Sequence, residues 1–180
     1  MSSWQGIARR IRVPLGFVFA ALYVWLAHPS WPSIFAGSSI AVIGLIIRAL
    51  ASGHVRKNEQ LTTTGPYAYT RNPLYLGSLI IALGFTLASR SWIIGAIAAA
   101  LLVGIYVPVI RSEERFLRAL FPQFDDYCQD VPRLFPRWPA AQGSSGAFSA
   151  DLFWKHREYK AALGAAAIIA VLVLKVLWTR

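Results

Sequence analysis

Residues 61–76 read LTTTGPYAYTRNPLYL, and the fold turns on how this stretch changes character along its length. Thr62, Thr63, Thr64, Gly65 and Pro66 are turn formers, combining side-chain hydroxyls with a glycine and a fixed proline φ. Asn72-Pro73 then has the pattern of a helix start. Asn in the cap position can accept a hydrogen bond from the first turn, and Pro tolerates the first helical position because its missing N–H has no partner there. From Leu74 the chain is apolar for about four turns of helix. The unsatisfied N–H groups of such a start form an anion site, and Arg71 beside them adds a positive charge.

Composition sets the surroundings. Of 180 residues 56% are hydrophobic and only 14% charged, where a soluble domain carries about a quarter charged residues. An integral membrane protein is expected. In a soluble chain the net charge of +10 would suggest nucleic acid. Here the basic residues flank apolar segments, where they anchor spans against anionic headgroups, and no nucleic-acid partner is expected. The single cysteine, Cys128, excludes an internal disulfide. Arg9, Arg10 and Arg12 precede an apolar run as in a signal peptide, but His28-Pro29-Ser30-Trp31-Pro32 follows instead of a small-residue cleavage site, so a retained first span is expected.

Five apolar segments stand out: Val13–Ala27, Trp31–Leu50, Leu74–Ala88, Trp92–Ile110 and Ala161–Trp178. The second, fourth and fifth approach the ~20 residues a bilayer requires, and the first and third are short. The fold expected is all-α, a polytopic membrane helix bundle of about five transmembrane helices with a pocket at the cytoplasmic edge. Lysines and arginines alternate between links in the sense that puts the N-terminus and the polar stretches 51–73 and 111–160 in the cytosol, and the cytoplasmic membrane is the expected location. Residues 1–138 form the expected core, 139–150 a flexible linker, and 151–180 an interfacial helix with a fifth span. In that interfacial piece Leu152, Phe153, His156 and Tyr159 alternate with charges, and Lys175 near the end of the last span can snorkel. No pair of histidines has metal-ligand spacing, and no metal site is expected.

The second informative stretch is 111–136, RSEERFLRALFPQFDDYCQDVPRLFP. The fourth span should continue as helix until Phe121, because Pro122 cannot extend it. Pro108 within it should bend the helix or free a carbonyl. Glu113 and Glu114 then stand at the membrane edge. Glu114, with Arg118 four residues on and Arg111 three back, is explained by a surface ion pair, whereas Glu113 has no such partner and is the better ligand candidate.

Taken in order, the two stretches resemble the isoprenylcysteine carboxyl methyltransferase and phospholipid methyltransferase superfamily of membrane enzymes. Leu61, Thr63, Gly65 and Tyr67 match its L-x-T-x-G-x-Y, and Arg71-Asn72-Pro73-Leu74-Tyr75-Leu76-Gly77 its R-H-P-x-Y-x-G. A helical hairpin follows, then Glu113, Glu114 and Leu117, then Phe121, Tyr127, Val131, Pro132 and Pro136. The resemblance covers about residues 40–137 and implies S-adenosylmethionine bound at the cytoplasmic membrane edge. The cofactor-binding positions it implies are Glu59, Gln60, Leu61, Thr62, Tyr67, Asn72, Pro73, Leu74, Tyr75 and Glu113. Arg111 and Glu114 are the catalytic candidates, Arg111 as the group that orients an acceptor. The implied acceptor is a membrane lipid or lipid-modified molecule entering from the bilayer. Three departures from the pattern stand out: Asn72 replaces the family histidine, Pro122 and Phe124 replace the Gly of F-G and its following Tyr, and Val109 stands where the carboxyl methyltransferases have an arginine. Asn cannot titrate near neutral pH, so a general base at position 72 is disfavoured. An NADPH-dependent sterol-reductase-like enzyme and a non-catalytic scaffold of the same fold are the alternatives. Gly77, Ser78, Ala82 and Gly84 should let the third span pack closely on a neighbour.

Overall fold

The computed structural model of the chain describes residues 20–56, 59–140 and 146–179. Arg9, Arg10, Arg12 and the first part of the expected first span lie outside the described residues, as do residues 141–145 of the expected linker. Every regular element described is helical. Helix α1 covers residues 20–26. It is followed by α2 (Trp31–Ser52), a 3₁₀ turn (Gly65–Ala68), α3 (Pro73–Ser89) and α4 (Trp92–Leu101). A π turn (Leu102–Tyr106) joins α4 to α5 (Val107–Leu120), and α6 (Phe124–Asp130), α7 (Ala150–Lys155) and α8 (Tyr159–Trp178) complete the chain. Three rods are long and apolar enough to cross a bilayer: α2, the continuous α4–α5 rod over Trp92–Leu120, and α8. The apolar α3 is shorter, as its sequence predicts. Large apolar side chains such as Phe35, Val103, Leu163 and Leu174 are exposed on the outside of the bundle, where lipid rather than water is the compatible solvent. The molecule is a membrane helix bundle.

Its centre is the antiparallel pair α2 and α3, which meet through glycines spaced seven apart, the repeat of a coiled-coil seam. A Cβ added to Gly84 would lie 2.5 Å from the Gly37 carbonyl oxygen, and one on Gly77 2.7 Å from that of Gly44. Only the absence of side chains lets the backbones approach this closely, so close packing, rather than an open groove, is what the small residues of the third span provide. Ser33 at one end of the seam donates to the Ala88 carbonyl at 3.0 Å. Around the pair, Tyr23, Ile34, Phe85, Ile94, Leu172 and Val176 form one buried cluster to which α8 contributes directly. The Lys175 ammonium, expected to snorkel, donates to the carbonyls of Val24 and Trp25 at the end of α1.

Helix ends follow their sequences. Ser30 and Ser33 cap α2 reciprocally, and Ser91 caps α4. Arg90, at φ 52°, makes the left-handed corner between α3 and α4. Pro108 cannot donate to the carbonyl four residues back, and the π turn ends two residues before it. Helix α5 ends at Leu120 with Phe121 extended, one residue before Pro122.

Candidate functional site

The two informative stretches are joined by a ladder of hydrogen bonds between residues 60 or more apart in sequence. The Arg71 amide donates to the Pro132 carbonyl and the Arg137 amide to the Tyr69 carbonyl, both at 2.9 Å. The buried Thr70 hydroxyl reaches the carbonyls of Arg133 (3.2 Å) and Leu134 (3.0 Å). The Tyr127 hydroxyl donates to the Tyr67 carbonyl at 2.7 Å. Between these rungs lie the ionic groups. Tyr75 on the first turns of α3 donates to Glu113 on α5 at 3.0 Å. The Tyr106 ring, set by the π turn, packs edge-on against Tyr75 with ring centres 5.3 Å apart.

Glu114 behaves differently from its sequence expectation. It is buried, with Arg133 on both carboxylate oxygens (3.0 and 3.1 Å from Nε, 2.7 Å from Nη2) and Arg71 at 3.4 Å. Arg118, the expected partner, pairs instead with Asp125 at 2.6 Å. The reason is helical phase: Ile110 and Glu114, four apart, share the buried face of α5, so Glu114 points inward. Hydrogen bonding to Glu114 holds the Arg133 guanidinium above its ordinary pKa. Arg71 is therefore not the free charge beside a helix start that the sequence suggests, although its Nε is buried without an acceptor among the described residues.

Asn72 is also corrected. It occupies the position before α3, and its carbonyl accepts from the Leu76 amide, but its side chain makes no cap. Instead Nδ2 donates to the Arg133 carbonyl at 2.8 Å, so the side chain stitches the two stretches together. Glu113, expected to stand without an ion-pair partner, has the Tyr75 phenol as its neighbour.

Of the predicted cofactor residues, Tyr67, Asn72, Pro73, Tyr75 and Glu113 thus fall at one junction of the 3₁₀ turn, α3 and α5. Burial pushes the Tyr67 phenol well above its ordinary value, with Tyr127, Glu113 and Glu158 adding to the rise and Arg48 opposing it. Tyr67 is therefore within electrostatic reach of Glu113 on one side and of an Arg48–Glu158 pair on the other. Thr62 is buried and accepts from the Arg56 amide at 3.4 Å, while Glu59 sits 4.0 Å from Lys155 on α7. Arg111 and Glu114 line one open cleft of about 600 Å³ together with Arg115, Arg118 and Arg133. A second, apolar cavity of about 420 Å³ lies behind the 3₁₀ turn, bordered by Ile47, Leu50, Pro66, Pro73 and Leu76. Sequence reasoning missed Arg133 and Glu158. For Glu158 the usable signal was Arg48, a charge inside an apolar helix that demands a partner.

Fold and junction together define a membrane helix bundle with a polar site where its helices leave the apolar slab. The family described as phospholipid methyltransferase matches residues 15–123, and the chain belongs to it. It is 34% identical over 143 residues to the cobalt-zinc-cadmium resistance protein CzcN of Cupriavidus metallidurans, covering 74% of this chain and 65% of that protein. It is 33% identical over 135 residues to the nickel-cobalt-cadmium resistance protein NccN of Alcaligenes xylosoxydans xylosoxydans, covering 70% of this chain and 62% of that one. The chain thus spans a little under two thirds of the length of these relatives. No solved structure matches it.

Proposed function

We propose that the protein transfers the methyl group of S-adenosylmethionine to a lipophilic acceptor resident in the membrane, working at the cytosolic edge of the cytoplasmic membrane. The observation that carries this reading is the Tyr75–Glu113 contact, which sets an exposed carboxylate and aromatic faces beside Tyr67 at the end of the apolar rods. These groups fit the cofactor's chemistry. A carboxylate suits its ammonium, aromatic faces suit its sulfonium, and the unsatisfied Arg71 Nε suits a carboxylate. When bound, S-adenosylmethionine supplies an electrophilic methyl group that passes to an acceptor lone pair as the carbon–sulfur bond breaks and a neutral thioether leaves. The chain's own part is alignment and exclusion of water.

Glu113 accepts from the amino group and is held for that by Tyr75. Glu59, Gln60, Leu61 and Thr62 supply the loop wall, and Asn72, Pro73 and Leu74 the start of α3. Tyr67 stays a neutral phenol because burial holds its proton. Arg111, at the mouth of the basic cleft, orients the acceptor. Glu114 contributes by holding Arg133 in that cleft, its oxygens being already engaged. The relatives' names connect them with resistance to cobalt, zinc, cadmium and nickel.

The test is calorimetric titration of the purified protein with S-adenosylmethionine and, separately, with NADPH. Micromolar-to-millimolar binding of the first and none of the second is expected. Failure to bind S-adenosylmethionine at millimolar concentration defeats the proposal. Mass spectrometry of lipid extract incubated with protein and methyl-labelled cofactor then identifies the acceptor.

A further inference from the structure

One densely bonded polar cluster ties the family-matched span to Glu158, which lies beyond it. Arg48, near the end of α2, uses its whole guanidinium. Nε and Nη2 hold both Glu158 oxygens at 2.8–3.1 Å, and Nη1 donates to the Leu74 carbonyl (3.3 Å) and the Ser78 hydroxyl. Arg48 crosses α3 directly over Gly77, where a Cβ would come within 2.6 Å of its Cγ. Both charged side chains are largely withdrawn from solvent, at 23% and 12% exposure. Glu158 is brought there by a left-handed corner at Arg157 (φ 56°), a conformation non-glycine residues adopt only when their surroundings require it.

The segment leading to that corner adds four more contacts, all to residues 52–64. The His54 Nε2 lies 3.1 Å from the Gly146 carbonyl, and a Cβ on Gly146 would meet the Thr64 side chain at 2.5 Å. The Ser149 amide donates to the Gly53 carbonyl at 2.9 Å, and His156 Nδ1 lies 3.2 Å from the Ser52 carbonyl. The tail is therefore fastened to the loop and helix start on which the proposed cofactor site is built.

We infer that Glu158 is a positioning residue of that site: by holding Arg48 across Gly77 it fixes the first turn of α3, which carries Leu74 and Tyr75. Arg48 without its counter-charge would turn toward water and abandon the Leu74 carbonyl and Ser78. The Leu74 carbonyl would then lose its guanidinium donor and keep the Ser78 hydroxyl alone, itself no longer held by Arg48. The inference rests on the methyltransferase reading for its functional consequence, but its structural claim is independent of it.

The test uses the full chain in lipid nanodiscs, comparing wild type, Glu158→Gln and the double variant Arg48→Met/Glu158→Met. Two measurements are made: amide hydrogen exchange over residues 74–78 and calorimetric affinity for S-adenosylmethionine. An apolar pair of similar volume can replace a buried ion pair without unfolding the protein, so the double variant separates holding the fold from placing the turn. Both variants should keep the wild-type helical signal, exchange at least ten-fold faster at 74–78 but not along 37–44, and bind S-adenosylmethionine at least ten-fold more weakly. Wild-type exchange or wild-type affinity in the double variant overturns the inference, as does faster exchange spread evenly over α2 and α3. If the wild-type protein itself does not bind S-adenosylmethionine, the functional proposal fails and the exchange comparison alone decides the role of Glu158.

Discussion

Glu113 and Glu114 are neighbours in sequence, yet substituting them should produce opposite phenotypes. Glu114 is 8% exposed and Arg71 12%, whereas Arg133 is 51% exposed. Removing one member of a buried, hydrogen-bonded charge group costs about 3–5 kcal/mol, and an exposed pair contributes about 0–1 kcal/mol. For Glu114→Ala the Arg71 interaction carries most of the loss and the half-solvated Arg133 little, so about 3 kcal/mol of destabilisation is expected. Glu113 is exposed and its one side-chain hydrogen bond among the described residues is from the Tyr75 phenol, so Glu113→Ala should change stability by no more than about 0.5 kcal/mol.

Ligand binding should reverse the order. A charge-assisted hydrogen bond to the cofactor's ammonium is worth about 1.5–3 kcal/mol, and Glu113→Ala should weaken S-adenosylmethionine by roughly ten- to a hundred-fold. Equilibrium unfolding in detergent, followed by circular dichroism, reads the first quantity and calorimetry the second. Arg71→Met/Glu114→Met, which removes charge and counter-charge together, should recover most of the stability lost in Glu114→Ala. Equal stability losses for the two single variants would refute the assignment of one acid to the scaffold and the other to the ligand.

Gly84→Ala drives a methyl group into the Gly37 carbonyl and should destabilise by about 1–3 kcal/mol, whereas Gly164→Ala on α8, with open space around it, should stabilise by up to about 1 kcal/mol; parallel unfolding titrations make the comparison. Asn72→Asp places a carboxylate against the Arg133 carbonyl that Nδ2 now serves, and should cost about 1–3 kcal/mol, whereas a cap role would leave it nearly neutral. Burial raises the Tyr67 and Tyr127 phenols in the folded state, so their neutral forms favour folding fully below the unfolded value of about 10. That contribution is lost as pH climbs beyond it. Melting temperature should therefore fall above about pH 10, and Tyr67→Phe should flatten the fall.

Much of the fold was legible because membrane helices announce themselves by length and apolarity. The positions of α2, the α4–α5 rod and α8, the stop before Pro122 and the disturbance ahead of Pro108 all follow from local chemistry. The seven-residue glycine spacing likewise needed only the two helices to be neighbours. What could not be read were choices among competing local and distant partners. Glu114 had two arginines within helical reach and took Arg71 and Arg133 from elsewhere, because α5's phase turned it inward. Asn72 had a helix start to cap and found a carbonyl on the other stretch. In each case a short-range rule lost to a tertiary contact whose geometry depends on how the two polar stretches cross. The two motifs name Tyr67, Asn72, Tyr75 and Glu113 together; their individual hydrogen-bond partners could not be read from them.

Arg48 and Glu158 are 110 residues apart in the chain. During synthesis the cation is made with α2, and its anion comes only with the last helix, after every other described element has been produced. Until then the guanidinium at the end of an apolar rod lacks the carboxylate that pairs with it in the fold. A chain cut short anywhere before residue 158 therefore keeps Arg48 at the end of α2 without the carboxylate that holds it in the folded bundle. The pair thus makes the settling of an early helix wait on a residue produced 110 positions later.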